Sequence, residues 1–544
     1  MGFNFWLQDA HVRIFPFGNK SKPDSLVLDV ARGERIAFQT AAEYMNQGDD
    51  AEVVTVEAEV CTAPFPVRIR RVGFVPVPHF NTGVPDDEKD CIGHIPGYVP
   101  DPLFDENKAK VAAGETCAFW FTADIPESCP AGKYDVEIRL VVEDKKITGT
   151  LSATFIVHEV VIKKRENFPV VQWFYNDSIL DWHGLKPFEE EFWQRVKPYM
   201  LNLVLHGQDT IYAPIFTPPL DGVKRPTQLL GVKCEGEGRY SFDWSDVKRY
   251  VDLAKECGIE NFEWTHLFTQ WGARNALRIY EGQGVDEKLL WEPETEAASE
   301  TYRTFLARFL PEFKSFLDNE KLLEFSFFHV SDEPHGEEGR ANYLVARTIL
   351  RELAPWMKTM DALSEIEYGR EGITDMPIPS IRVTKQFHDE GIPSFTYFCC
   401  NPRRRYLNRL VDTPLAKMRM LGWLCRKFEV RGFLHWGYNY WQQRGKRELV
   451  DPFTELSAGD WPEWAYGDCF LVYPGPDGPI DSIRWEIFSE SLQDLALLQT
   501  LDIHPSDPIL SEFEDFNKFP KSLDWLRRTR RDLLLRGRAR QAGQ

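Results

Sequence analysis

From Phe168 to about residue 500, short apolar runs alternate with amphipathic stretches, and this alternation constrains the fold more than any other feature of the chain. The runs are VVQWF (170–174), LNLVLHG (201–207), NFEWTHLF (261–268), FSFFHVSD (325–332), a weaker MDALS (360–364), SFTYFCC (394–400) and RGFLHWGYNYW (431–441), with PIPSIR (377–382) as an eighth candidate. Between them lie helical patterns. FDWSDVKRYVDLAKECG (242–258) puts Val247, Tyr250, Val251 and Ala254 on one face, with Asp243 or Ser245 as N-cap and Gly258 as the stop. EEGRANYLVARTILREL (337–353) suggests a stripe of Val345, Ile349 and Leu353. Strands alternating with helices imply parallel strands covered by helices. A (β/α)8 TIM-like barrel fits better than a doubly wound sheet, because VVQWFYNDS carries no glycine-rich phosphate loop.

The region before this reads differently. In PAGKYDVEIRLVV, Tyr134, Val136, Ile138 and Leu140 alternate with Asp135, Glu137 and Arg139, the period-two pattern of a half-buried strand. VRIRRVGFVPV (67–77) and ITGTLSATFIV (147–157) behave alike, which suggests an antiparallel β-sandwich. The expected organisation is therefore multidomain α/β: an N-terminal β-sandwich over 1–162, a barrel over 166–503, and a helical extension over 504–544. In RRTRRDLLLRGRAR (527–540) the expectation is that Leu533, Leu534 and Leu535 pack down while the arginines stay solvated.

With 84 acids against 64 bases, and a formal net charge of −20, nucleic acid is not an expected partner. MGFNFWLQDAHVRIF has no basic start followed by an apolar core, and no run is long enough to span a membrane, so a soluble, cytoplasmic protein is expected. Ten cysteines without CxxC pairs read as reduced thiols, the vicinal Cys399-Cys400 included. No cofactor and no metal are expected. A homo-oligomer is compatible with the sequence.

Active sites of parallel barrels lie where strands end. Here the runs end in Tyr175-Asn176-Asp177, His206-Gly207-Gln208-Asp209, Trp264-Thr265-His266, Asp332-Glu333, Tyr397, and Trp436 through Tyr438, Asn439 and Trp441. Aromatic faces beside Asn, Asp and His suit a sugar ring, with its apolar C–H faces and its hydroxyls. Asp332-Glu333 is the sharper feature, because Pro334 cuts the strand immediately after it. Capping of the next helix by Asp332, or pairing of Glu333 with Arg340 or His335, are the non-functional alternatives. Two-carboxylate hydrolysis usually draws its acids from different strands across the scissile bond. A consecutive pair suits substrate assistance better: a 2-acetamido oxygen attacks the anomeric carbon, Asp332 stabilises the acetamido N–H, and Glu333 serves as acid and then base. Like charges in one site also push the two pKa values apart.

HVSDEP (329–334), LGWLCRKFEVRGFLHWGYNYW (421–441) and GDCFLVYPGPDGPIDSIRWEIFSESLQDL (467–495) resemble the catalytic domain of glycoside hydrolase family 123, also catalogued as domain of unknown function 4091. The resemblance spans roughly residues 165–500. It implies a retaining β-N-acetylgalactosaminidase on a (β/α)8 barrel using acetamido participation, with the family's Asp-Glu motif on Asp332 and Glu333. It also implies a sugar pocket lined by Trp436, Asn439, Trp441 and, in the Gly467-Asp468 loop, by Asp468 and Tyr473. By topological likeness to substrate-assisted hexosaminidases, Tyr397 would position the acetamido carbonyl, with Tyr438 as its rival. The implied partner is an oligosaccharide or glycoconjugate containing N-acetylgalactosamine. Three other readings stand beside this one: a hexosaminidase preferring N-acetylglucosamine, a metal-dependent barrel hydrolase with His206, Asp209, His266 and Asp332 as ligands, and a non-catalytic glycan-binding protein.

Overall fold

The computed structural model describes residues 2–23, 25–45, 53–142, 146–218, 227–282 and 288–541. It is a multidomain α/β protein in which an N-terminal, sheet-rich region is followed by a curled parallel sheet wrapped in helices. Two sheets make the first region. One contains Gly2–Asp9, Arg35–Met45, Thr116–Asp124, Val67–Val77 and Gly97–Phe104, and the other Leu26–Arg32, Ile147–Val161, Gly132–Val142, Val53–Thr62 and Lys108–Ala112. Val30, Phe38, Phe121, Val136, Ile138, Leu140 and Phe155 form the core they share. The alternation read from PAGKYDVEIRLVV holds, since Val136, Ile138 and Leu140 point inward while Glu137 and Arg139 are exposed.

The first of these sheets is covered on its other face too. Trp6, Ala41, Val72 and Trp120 pack on Leu415, Met418, Ile483 and Ile487 of the C-terminal region. That is why Thr116–Asp124, TCAFWFTAD, reads as a nearly continuous buried run. Moreover, Val472–Pro474 and Pro479–Ser482 add two strands to its edge, so the 166–503 segment contributes to the N-terminal sheet.

The parallel strands are β1 (Val170–Gln172), β2 (Thr210–Ala213), β3 (Asn261–Trp264), β4 (Ser326–Phe327), β5 (Met360–Asp361), β6 (Met376–Pro377), β7 (Thr396–Tyr397) and β8 (Phe433–His435). β1 pairs with both β2 and β8, β3 lies between β2 and β4, and β7 pairs with β8. β5 pairs with β6, and isolated parallel bridges Phe328↔Thr359 and Ser380↔Tyr397 link β4 to β5 and β6 to β7.

Several local expectations are corrected. LNLVLHG is the end of the helix Glu190–Leu205, and the second strand follows it at Thr210; a short apolar run does not distinguish a strand from a buried helical turn. In the helix Gly336–Leu353 the buried stripe runs through Tyr343, Ala346, Ile349 and Leu350, and Val345 is exposed. Phe325 is also exposed, lying in a 3-10 turn ahead of β4. In the C-terminal helix Leu523–Gln541, Leu533 and Leu534 are buried but Leu535 is not. Its arginines are not all solvated: Arg530 pairs with Glu34 and Asp494, and Arg527 with Asp9. Side chains beyond Gly537 lie outside the described residues.

The helix Ile483–Thr500 joins the two regions. Glu486, Glu490 and Asp494 recur at four-residue spacing and each meets a cation. Arg35 and Arg70 reach Glu486 at 2.8 Å, while Arg419 reaches Asp494 at 2.8 Å and also pairs with Glu490. Gly422 sits where this helix comes closest, since a Cβ there would lie 2.1 Å from the Ser491 carbonyl oxygen. Because Glu490 and Asp494 would lose the cation they share and keep only His11 and Arg530 against their desolvation cost, Arg419→Met should destabilise the fold by up to roughly 3–5 kcal/mol, read as a lower urea midpoint. A loss below about 1 kcal/mol would mean that Arg419 behaves like a solvated surface pair.

Candidate active site

Beyond β4 the chain runs through His329 and Val330, held by Leu267 N–H to the His329 carbonyl (3.2 Å) and Phe268 N–H to the Val330 carbonyl (2.9 Å). Trp271 N–H donates to the Asp332 carbonyl at 2.6 Å. At Glu333 the backbone turns to φ +41°, a left-handed conformation that costs a non-glycine residue and is found where structure around it enforces it. This turn cancels the strand alternation that would send neighbouring side chains to opposite faces. Asp332 and Glu333 therefore line one cavity of about 140 Å³, together with Tyr397, Trp436, Trp173, Trp271, Trp464 and Arg444. Neither non-functional alternative is realised: Arg340 pairs with Glu371 at 2.7 Å, and the helix after Pro334 has no side-chain cap.

Tyr397 Oη donates to Glu333 Oε1. Burial, and then the Glu333 carboxylate, hold the Tyr397 phenol well above its usual range, so it stays a neutral donor. Burial and the charge of Glu333 likewise push the Asp332 carboxyl well above the usual carboxylate range.

Beneath them lies a buried layer. His329 Nε2 is 2.6 Å from Glu263 Oε1 and its Nδ1 is 3.3 Å from Asp361 Oδ1, all three side chains being shut off from solvent. Burial opposes a charge on His329, yet the carboxylates of Glu263 and Asp361 push its pKa up to about 10. Trp173 Nε1 also donates to Glu263 (2.8 Å), and Tyr343 Oη to Asp361 (2.5 Å). The His266 ring stacks on His329 at 4.3 Å and is held neutral by burial and by that neighbouring charge. His329 thus sits as an imidazolium between two carboxylates under Asp332.

The remaining residues singled out from the sequence fall in several places. Trp436 lines the cavity, and its Nε1 donates to Asp468 at 2.8 Å, so Asp468 orients the indole from behind. Asn439 clamps the Tyr175 backbone through both its amide groups (2.9 and 3.0 Å). Trp441 is fully buried and donates to the Val472 carbonyl. Tyr438 turns away from the cavity to Asn202 (2.8 Å), and Tyr473 donates to Asp101 (2.5 Å) in the seam between the two regions. Trp264 faces outward, donating to Ser326 Oγ and packing on Phe313. His206 meets Glu486 at 3.2 Å, and Asp209 pairs with Arg165 (2.7 Å) ahead of β2. His206 and Asp209 precede their strand while Asp332 follows its own, so the four residues of the metal-hydrolase reading lie at opposite ends of a parallel sheet and do not converge.

Sequence reasoning missed Trp173, Trp271, Trp464 and Arg444 in the cavity wall and His329 beneath it. Trp173 and His329 stand inside the same apolar runs, two and three residues ahead of Tyr175 and Asp332 at their ends. Trp271, 56% exposed and in a left-handed conformation just before Gly272, carries a loop signature that was open to reading.

Residues 173–501 match the family described as "Glycoside hydrolase 123, catalytic domain". No curated protein matches the chain. Among solved structures, a family 123 glycoside hydrolase from Clostridium perfringens, studied for glycolipid glycan hydrolysis, aligns with a TM-score of 0.73 at 13% identity, covering 99% of this chain and 97% of that one. A β-glucuronidase from Parabacteroides merdae aligns at 0.32 with 11% identity over 84% of this chain and 50% of that one. An endo-β-1,4-mannanase from Thermotoga petrophila gives 0.33 and 11% over 63% and 78%. The last two likenesses are too slight to bear on fold or function.

Proposed function

The chain belongs to glycoside hydrolase family 123, and from that premise we propose that this glycoside hydrolase is a retaining exo-β-N-acetylgalactosaminidase working through the substrate's own 2-acetamido group. The observation that carries the reading is the composition of the cavity: Asp332 and Glu333 are its only carboxyls among the described lining residues, and they are consecutive in sequence. Glu263 and Asp361 lie beneath the cavity and pair with His329, so no third acid among the described lining residues faces the two as a nucleophile.

In this mechanism Glu333 protonates the glycosidic oxygen while the acetamido carbonyl oxygen attacks C1, breaking the C1–O bond and forming an oxazolinium ion. Asp332 accepts the acetamido N–H and compensates its growing positive charge. Glu333, now a carboxylate, takes a proton from water as the water attacks C1, opening the ring with net retention. Trp436 and Trp464, ring centres 4.8 Å apart, supply the apolar wall. Tyr397 positions the acetamido carbonyl of the bound sugar, and in the free enzyme its hydroxyl donates to Glu333.

The parallel pairings and two bridges support a (β/α)8 barrel for the 166–503 segment, braced by a β-sandwich over 1–162 and a helical extension over 504–544. No helix among the described residues is long and apolar enough to cross a membrane. We place the enzyme in the cytoplasm, acting on an N-acetylgalactosamine-containing oligosaccharide or glycoconjugate.

Aryl β-glycosides varied at the 2-substituent and at C4 test this directly. The 2-acetamido galacto compound should be cleaved fastest, its 2-hydroxy counterpart not measurably, and the first sugar released should be the β-anomer by proton NMR. Equal cleavage of the 2-hydroxy compound would sink acetamido participation. A gluco compound cleaved faster than the galacto one would replace the sugar assignment and leave the mechanism standing.

A further inference from the structure

We propose that the cleft lined by Thr82, Arg382, Asn401, Arg403, Arg404 and Tyr406 is a second ligand subsite, which takes an oxyanion, a carboxylate or a sulfate ester, on the leaving-group side of the glycoside. The inference rests on the hydrolase reading for its position and on the cleft itself for its chemistry.

The chain carries a net charge of −20, so its general field repels anions. Yet no acidic residue is among the described residues lining this cleft of about 490 Å³, while three arginines are. Arg403 is buried, and all four of its hydrogen bonds end on neutral oxygens: Cys400 carbonyl (2.7 Å), Thr82 Oγ1 (2.6 Å), and the Pro462 and Glu463 carbonyls (both 2.8 Å). A buried cation with no counter-charge is costly unless an anion completes the site. Neighbouring Arg405 shows the contrast, since Asp87 and Glu88 neutralise it. Arg382 and Arg404 are exposed and make no ion pair among the described residues. Their guanidinium forks are free to take a planar or tetrahedral oxyanion, while Arg403, with four of its five N–H donors spent on protein oxygens, adds its uncompensated charge beside them.

Position supplies the rest. Asn401 to Arg404 follow directly on Cys399 and Cys400, which wall the catalytic cavity, and Arg403 fastens Pro462 and Glu463, just ahead of the cavity residue Trp464. Arg382 lies two residues after Ser380, which bridges to Tyr397. The cleft is therefore at the same end of the parallel sheet as the acids, across a shared wall. The side of the cavity where Glu333 and Tyr397 meet is the side from which the leaving group is protonated and departs, and Tyr397 leads straight into the loop that forms the cleft. A charged aglycone would reach it and a terminal N-acetylgalactosamine would not.

The test compares three aglycones on one β-N-acetylgalactosaminide, neutral, carboxylated and sulfated, for the wild type and for Arg382→Gln/Arg404→Gln, whose changes are both at exposed positions. The wild type should prefer one or both anionic substrates about tenfold in kcat/KM at low salt, through KM, with the preference falling as sodium chloride is added. The double variant should lose that preference and keep the neutral substrate within about twofold. An unchanged preference in the variant overturns the proposal. In parallel, inorganic sulfate should raise the melting temperature of the wild type above that seen in chloride of equal ionic strength, and should not do so for the variant. Sulfate protection equal in both proteins means an adventitious ion only and overturns the subsite. Sulfate protection confined to the wild type, with no glycoside cleaved, keeps the anion site and rejects the hydrolase assignment.

Discussion

Glu333→Gln should lower turnover of a glycoside with a sugar or alkyl leaving group by about 10³-fold, within the roughly 10²- to 10⁴-fold that a positioned general acid supplies. The same variant should lose far less on a dinitrophenyl leaving group in the bond-breaking step, because that group departs without a proton. Glutamine keeps the shape of the side chain and still offers Tyr397 an oxygen to donate to, so the fold at the left-handed turn should survive. What it lacks is the proton for the glycosidic oxygen and, later, the basic carboxylate for water. A plot of kcat/KM against leaving-group pKa should therefore steepen in the variant. Parallel lines for variant and wild type would remove Glu333 from the acid role, whatever the size of the loss.

The acids were legible in the sequence because their placement is local: an apolar strand, two carboxylates, then a proline. The layer that tunes them was not. Glu263, His329 and Asp361 belong to β3, to the segment after β4 and to β5, and only the curling of the sheet makes them neighbours. In FSFFHVSD the histidine looks like one more buried residue. The same physical reason explains His206 and Tyr473. Each is a polar side chain near the end of an apolar run, which is how a pocket residue looks, but their partners Glu486 and Asp101 lie in the seam between the two regions. The surfaces of that seam carry no periodic mark. The sheet covered on both faces gives one visible sign, the uninterrupted burial of Thr116–Asp124, and a continuous apolar run has more than one explanation.

Asp332→Asn should cost on the order of 10² to 10³ in kcat, the scale set by removing one preorganised group from a site of developing charge. Unlike the loss at Glu333, this one should not depend on the leaving group, since the acetamido group attacks C1 whichever aglycone departs. The pH profile separates the roles further. The productive form holds the pair's one proton on Glu333 with Asp332 ionised, whereas burial and the Glu333 charge hold the Asp332 carboxyl well above the usual range in the free site, so the bound acetamido N–H is what draws the charge onto Asp332. Activity should then fall as pH drops through that raised value, so the acid limb of kcat/KM lies above the normal carboxylate pKa of about 4. The His329 imidazolium works the other way, favouring the ionised form of Asp332. Its groups facing it are Glu263, Asp361, His266 and, above, Asp332, so removing its charge leaves the carboxylates uncompensated. His329→Gln should accordingly move the acid limb upward by about one pH unit, an electrostatic difference of about 1.4 kcal/mol, while Asp332→Asn should abolish the limb. A limb that stays put in His329→Gln, with the protein folded, would mean that the charge beneath the cavity floor does not govern Asp332.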